Sequence, residues 1–199
     1  MIELLTTKVL AHIRRLPEGT PVAAKELLHL GNRAAVDQAL SRLARRGHLL
    51  RIGRGLYMLP VEGRFGVRPP ETSLVVQAIA EQRGESIVPS GAAAANELGL
   101  TTQVPVREVY LTSGPTRKLK LGQQTVELRH VPSWQLVLQG RPAGTAIRAL
   151  AWLGPEHAGQ GVALLRQRLP VLEMRAVAAV RSMLPTWLAQ QVSVMAGDV

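Results

Sequence analysis

Apolar residues recur along this chain with two different periods, and the change of period marks out its elements. Leu5, Val9 and Ile13 fall at i, i+4 and i+8, which predicts a first helix over Glu3–Arg15, ended by Pro17-Glu18-Gly19. A second, short helix is predicted over Ala23–Leu30, with Gly31 as its C-terminal cap. A third opens at Asn32, whose side chain suits an N-cap, and ends at Gly47. The period then drops to two. "HLLRIGRGLYMLP" predicts two short strands, His48–Ile52 and Leu56–Leu59, joined by a glycine-bearing turn. Helix, short helix, helix and hairpin, in that order, is the sequence of a winged helix-turn-helix.

The pattern breaks at "PVEGRFGVRPPETS" (Pro60–Ser73), where proline and glycine interrupt the apolar positions. The chain is therefore divided into a winged helix at 1–62, a linker at 63–73 and a second domain at 74–199. A helix over Ser73–Arg83 comes next, then a short strand "SIV" and an alanine-rich helix that Ser90 caps and Gly99 ends. "REVYLTSG" predicts a strand, and "RKLKLGQQTVELRHV" a hairpin turning near Gly122-Gln123. Four helices are predicted beyond Ala143: Ala143–Leu153, Glu156–Leu169, Val171–Met183 and Thr186–Met195, with Pro155, Pro170 and Pro185 at their starts. The fold class predicted is α+β: an N-terminal winged helix-turn-helix followed by a mixed α/β domain with a helical C-terminal tail.

Charge adds a partner to this outline. The 199 residues hold 24 Lys and Arg against 14 Asp and Glu, a net charge of +10. Residues 1–70 hold 12 basic and 5 acidic side chains, net +7, so the excess sits mainly on the winged helix. A balance of this kind favours nucleic acid or another anionic surface as a partner. There is no cysteine, which excludes disulfides and thiolate metal sites. No apolar run reaches membrane-spanning length, and the N-terminus carries Glu3 early and its basic pair late, the reverse of a signal peptide. Cytoplasmic location is the expectation, with no membrane partner.

The third predicted helix shows where DNA would be met. At about 100° per residue from Leu40, Val36 lies near −40°, Leu43 near −60° and Ala44 near +40°, an apolar stripe. Ser41, Ala34, Arg45, Gln38 and Arg42 fall between about 100° and 200°, an outward face without an acid. In a major groove, arginine bonds guanine O6 and N7, glutamine pairs with adenine, and a small alanine touches a thymine methyl. An ordinary solvated face would look the same on this helix alone. The hairpin that follows changes the reading, because Arg51 and Arg54 flank Gly53, and Gly55 follows, so the backbone can turn sharply while the guanidinium groups project from the tip. Such a wing reaches phosphates or a narrow minor groove. Lys25 in the second helix and Arg14-Arg15 at the end of the first suit phosphate contacts or solvated surface charges equally, and Arg33 and Arg46 at the ends of the third helix complete the candidate DNA-contacting set. Tyr57 is expected to pack its ring inward and leave its hydroxyl free for a phosphate.

The second domain has no predicted catalytic residue, metal site or cofactor. Its histidines are scattered, and its glutamates form no close pair in sequence. "TSGPTRK" (Thr112–Lys118) gathers hydroxyls, a glycine and basic groups, and suits either a phosphate-gripping turn or a plain turn between strands. On the strand that follows, Lys118 and Lys120 share one face, and Arg117 shares the other with Leu119 and Leu121. With Arg117 they are a candidate second basic strip.

Two stretches together resemble the AbiEi-like antitoxins of type IV toxin–antitoxin systems: "AVDQALSRLARRGHLLRIGRGLYMLP" and "PSGAAAANELGLTTQVPVREVYLTSGPTRKLKLG". The second is the more specific, with its PSG, AAN, LGL and YLTSG progression. The resemblance covers roughly residues 5–130. It implies an N-terminal winged helix that binds inverted repeats in promoter DNA and represses its own operon. It also implies a C-terminal domain needed to counteract a nucleotidyltransferase-like toxin. Carried over by position, the DNA-contacting set is the outward face of the third helix, the wing tip Arg51–Gly55, and Arg117, Lys118 and Lys120. The expected function is that of a DNA-binding antitoxin and autorepressor, not an enzyme. The alternative is a stand-alone winged-helix regulator whose C-terminal domain oligomerises or senses a ligand. An enzyme acting on nucleic acid, with "TSGPTRK" holding phosphate, is a third class.

Overall fold

The structure is a computed structural model and describes residues 2–64 and 66–196. Helix α1 (Ile2–Ile13) buries Val9 and Ile13. A two-residue strand β1 (Val22–Ala23) follows, and then a 3-10 turn at Ala24–Leu27 where a full helix was predicted. The reason is local. The Glu26 carboxylate accepts from the Ala23 amide at 3.1 Å, and Leu30 N–H donates to the Leu27 carbonyl at 2.9 Å, three residues back rather than four. Gly31 is not a left-handed cap; a Cβ built on it would lie 3.4 Å from the Leu5 methyls of α1.

Helix α2 (Arg33–Arg45) is the third predicted helix. Strands β2 (Leu50–Gly53) and β3 (Leu56–Met58) are the predicted hairpin, and they make a three-stranded sheet of order β1-β3-β2. Val22 opposite Tyr57 and Ala23 opposite Leu56 are the whole of the β1 pairing, too short for periodicity to reveal. Val9, Ile13, Leu27, Val36, Leu40, Leu43 and Leu49 form the core beneath.

The predicted linker is not a simple tether. Strands β4 (Val61–Gly63) and β5 (Gly66–Arg68) pair antiparallel, with Val61 opposite Arg68 and Gly63 opposite Gly66. Glycine permits this pairing because a side chain at Gly63 would press on the Gly66 carbonyl oxygen at 3.3 Å. Helix α3 (Thr72–Arg83) then packs back on the winged helix. Gln82 donates to the Pro21 carbonyl at 2.8 Å, and the approach of α3 to Gly19 leaves no room for a larger residue beside Leu74. One compact unit accordingly comprises residues 1–85 and 117–127, and a second comprises 86–116 and 128–199. The division expected at 63–73 differs because the linker segment and α3 make their contacts with the first unit.

The second unit starts with strand β6 (Ile87–Pro89), helix α4 (Gly91–Glu97) and strand β7 (Glu108–Thr112). β6 and β7 pair antiparallel, with Val88 opposite Leu111. Ser90 caps α4 by accepting from the Ala93 amide, and Gly99 ends it with φ 66°. Arg168 then satisfies the carbonyls of Leu98 and Gly99 at 2.8 and 3.3 Å. The chain re-enters the first unit for strand β8 (Arg117–Leu121) and the opening of β9 (Gln124–His130), a hairpin that turns at Gly122 with φ 62°. In that unit β8 lies against β2.

Helices α5 (Pro142–Arg168), α6 (Val171–Ala179) and α7 (Thr186–Ala196) complete the second unit. A backbone break at Gly154 (φ 74°, ψ 174°), followed by Pro155, divides α5 near the predicted boundary. Ile147, Leu150, Val162, Leu165, Val177, Leu188 and Val192 form its core. Glu173 of α6 reaches over to the start of α5, accepting from Arg141 and from the Ala143 amide, each at 2.9 Å. The Arg141 bond, and after it the amide, hold the Glu173 carboxyl below its ordinary pKa. The folded form therefore binds that proton less tightly than the unfolded chain. Its stabilising contribution is present at neutral pH and is lost as pH falls through the lowered value. Glu173→Gln is expected to lower the thermal midpoint at neutral pH and to reduce the loss on acidification, read by thermal melts from about pH 7 to about pH 3.

Candidate nucleic-acid interface

Helix α2 is oriented by both its ends and its buried face. Asn32 accepts from the Ala35 amide at 2.9 Å, which starts the helix. Gly47, with φ 78°, closes it, and His48 N–H donates to the Leu43 carbonyl at 2.9 Å. Val36, Ala39, Leu40 and Leu43 are buried, so the opposite face is left to solvent. Arg33, Ala34, Gln38, Arg45 and Arg46 are exposed there, while Ser41 and Arg42 are half-buried. Lys25, in the 3-10 turn before this helix, is exposed as well.

The hairpin bears its charges outward. Leu50 faces Met58, Arg51 faces Tyr57 and Gly53 faces Leu56, with a bulge between Arg51 and Gly53. Arg51 and Arg54 are exposed, while Ile52, Tyr57 and Met58 are buried and anchor the strands. At the tip it is Gly55 that uses glycine's conformational freedom, with φ 66°.

Two of the predicted contacts are engaged within the protein. Arg33 pairs with Asp37 one turn on, at 2.8 Å, so an acid at the edge of the face offsets its charge. The Tyr57 hydroxyl is not free for a phosphate: the residue is 4% exposed and its oxygen lies 3.3 Å from Ser41 Oγ. The two hydroxyls instead tie the wing to α2. Tyr57→Phe is expected to cost about 1 kcal/mol in urea unfolding and to leave DNA affinity unchanged.

The second basic strip is divided. Glu85 holds Arg117 through two hydrogen bonds at 2.5 and 3.1 Å, with both side chains largely buried. Lys118 and Lys120 are exposed, and Leu119 and Leu121 are buried, as the alternation predicted. The first unit thus gathers α2, the wing and the two lysines. It also contributes Arg64 and Arg68, exposed on the β4–β5 hairpin, which sequence reasoning assigned to a linker. Two valines, Val61 and Val67, flanking a turn that begins and ends in glycine, Gly63 and Gly66, were the signal for a second hairpin there.

"TSGPTRK" is better explained as a turn. Gly114 N–H donates to Thr112 Oγ1 at 3.0 Å, Ser86 N–H to Ser113 Oγ at 3.0 Å, and His130 N–H to Thr116 Oγ1 at 2.9 Å. Each of these hydroxyls accepts a backbone hydrogen bond, and together the three bonds hold the segment as a turn between strands.

Among the described residues no helix is long and apolar enough to cross a membrane. The model of DUF6088, a family of unknown function, matches residues 8–165, a span that begins in α1 and ends within α5. No curated protein and no solved structure matches the chain.

Proposed function

We propose that this chain, which belongs to the DUF6088 family of unknown function, binds double-stranded DNA through its first unit. Helix α2 enters the major groove with Ala34, Gln38, Arg42 and Arg45, and the wing places Arg51 and Arg54 on phosphates or in the adjacent minor groove. The observation that carries the reading is the pairing of a hairpin exposing two arginines with the exposed basic face of the preceding helix, on one compact basic unit. Charge alone would give only sequence-independent binding; the glutamine, alanine and arginines of α2 are the side chains suited to read bases.

The sequence resemblance extends this reading to an autorepressor of its own operon and an antitoxin acting against a nucleotidyltransferase-like toxin. In this reading it works as a regulatory protein in the cytoplasm, with inverted repeats in its promoter as the target. Fluorescence-anisotropy titration against its own upstream DNA and a scrambled duplex, at physiological salt, tests the first part. At least a hundredfold preference for the upstream duplex is expected, and equal affinity would refute sequence-specific repression. Co-expression with the product of the adjacent gene tests the second: rescue from a toxic nucleotidyltransferase-like neighbour is expected.

A further inference from the structure

The second unit contains a cavity of about 460 Å³, within the size range of small-molecule sites. The chain has three tryptophans, and Trp134, Trp152 and Trp187 all line it. They come from separate elements: the 3-10 turn Ser133–Leu136, helix α5 and helix α7. With aromatic residues at only 3% of the chain, this concentration is marked. Arg107, Arg129 and Arg148 lie in the same wall, which has no acidic residue.

Arg148 is the unusual member. It is 3% exposed, and Nη2 donates to Thr145 Oγ1 at 3.2 Å, but Nε and Nη1 have no partner. A buried guanidinium with donors unmatched is costly, and its desolvation pulls its pKa below the ordinary arginine value. Structural arginines of this kind are normally satisfied by a carboxylate or by carbonyls. Here the unmatched donors belong to a side chain in the wall of an aromatic cavity.

We propose that this cavity binds a small anion carrying a flat ring, with its phosphate or carboxylate on Arg148 and its ring against the tryptophans. The guanidinium fork fits a planar or tetrahedral oxyanion, and indole faces stack on conjugated rings. Arg107 and Arg129 add positive potential at the same wall. The site stands on the geometry of the second unit alone, whether or not the first unit binds DNA. Nucleoside monophosphates and aromatic carboxylates share the required chemistry.

Because all the tryptophans lie in this wall, their fluorescence reports the site directly. The full chain, excited at the red edge of tryptophan absorption, is titrated with adenosine and guanosine 5′-monophosphates, with phenylacetate, and with adenosine and inorganic phosphate as controls that each lack one half of the chemistry. Saturable quenching by a nucleotide or by the carboxylate is expected, and the responding arm identifies the source. Adenosine and phosphate are each expected to bind at least tenfold more weakly than the responding compound. Arg148→Met is expected to weaken binding about tenfold or more. Should that variant fail to fold, Arg107→Ala, at an exposed position, is expected to weaken binding several-fold with an unchanged circular dichroism spectrum. No saturable quenching in either arm would overturn the proposal. So would unchanged affinity in folded Arg148→Met or, if that variant does not fold, in Arg107→Ala.

Discussion

Replacing both Arg51 and Arg54 by alanine should weaken binding to duplex DNA about thirtyfold at 0.15 M salt, and should flatten the plot of log affinity against log salt by about 2 units. The estimate follows from counterion release. Each phosphate neutralised adds a slope of about −0.9, and two such contacts extrapolate to about one and a half decades at that salt. The loss should be nearly uniform across DNA sequences, since a wing on phosphates positions the protein without reading bases. Both side chains are exposed on the hairpin, whose strands are anchored by Ile52, Tyr57 and Met58, so the fold should be unaffected. Arg117→Ala is the informative contrast, because Glu85 already engages that guanidinium. It should lower stability while changing the salt slope little. If Arg51 and Arg54 could be removed without changing the salt dependence, the hairpin would be a charged edge of the sheet and no more.

Gly91→Ala should destabilise the second unit by about 1–3 kcal/mol, a large effect for one methyl group. A Cβ on Gly91 would stand 2.6 Å from both the Arg148 carbonyl oxygen and Trp152 Cβ. Neither atom belongs to a flexible tip, so α4 would have to move away from α5. Gly144→Ala should act the same way, since its new carbon would press on the carbonyls of Val137 and Leu138. Gly159, also in α5, has only Gln191 Oε1 at 3.7 Å in its way. There alanine should be neutral or stabilising by up to about 1 kcal/mol, because the helix interior prefers it. Urea unfolding followed by tryptophan fluorescence separates these cases, as Trp134, Trp152 and Trp187 all belong to the second unit. Equal midpoints for the three variants would mean that α4 is not held tightly on α5.

The "PSG" stretch that supported the family resemblance therefore has a physical content of its own. Its serine caps α4, and its glycine permits the close approach of α4 to α5. The serine was legible as a cap, but the glycine's partner lies some 57 residues further along the chain, beyond the reach of any local pattern. The basic candidates show the same division. Periodicity placed Ala34, Gln38 and Arg45 on the outer face of the third helix and Lys118 and Lys120 on the outer face of a strand, and the structure leaves all five exposed. Periodicity could not find Glu85 beside Arg117, or Ser41 against the Tyr57 hydroxyl, because those pairs are separated by 32 and 16 residues.

The sequence by itself determined the third helix and the hairpin that follows it, the buried stripe of α2, the glycine-bearing turn of that hairpin and the concentration of positive charge in the first third. All of these depend on near neighbours: side-chain period, capping and backbone freedom act over a few residues. Only the tertiary structure decided that the 63–73 segment is partly a hairpin, that α3 and β8 belong with the winged helix, and which arginines are engaged by acids. It alone brought three tryptophans from three elements to one cavity with a buried, unmatched Arg148. Such arrangements arise from long-range packing, where the burial of one element fixes what another can reach.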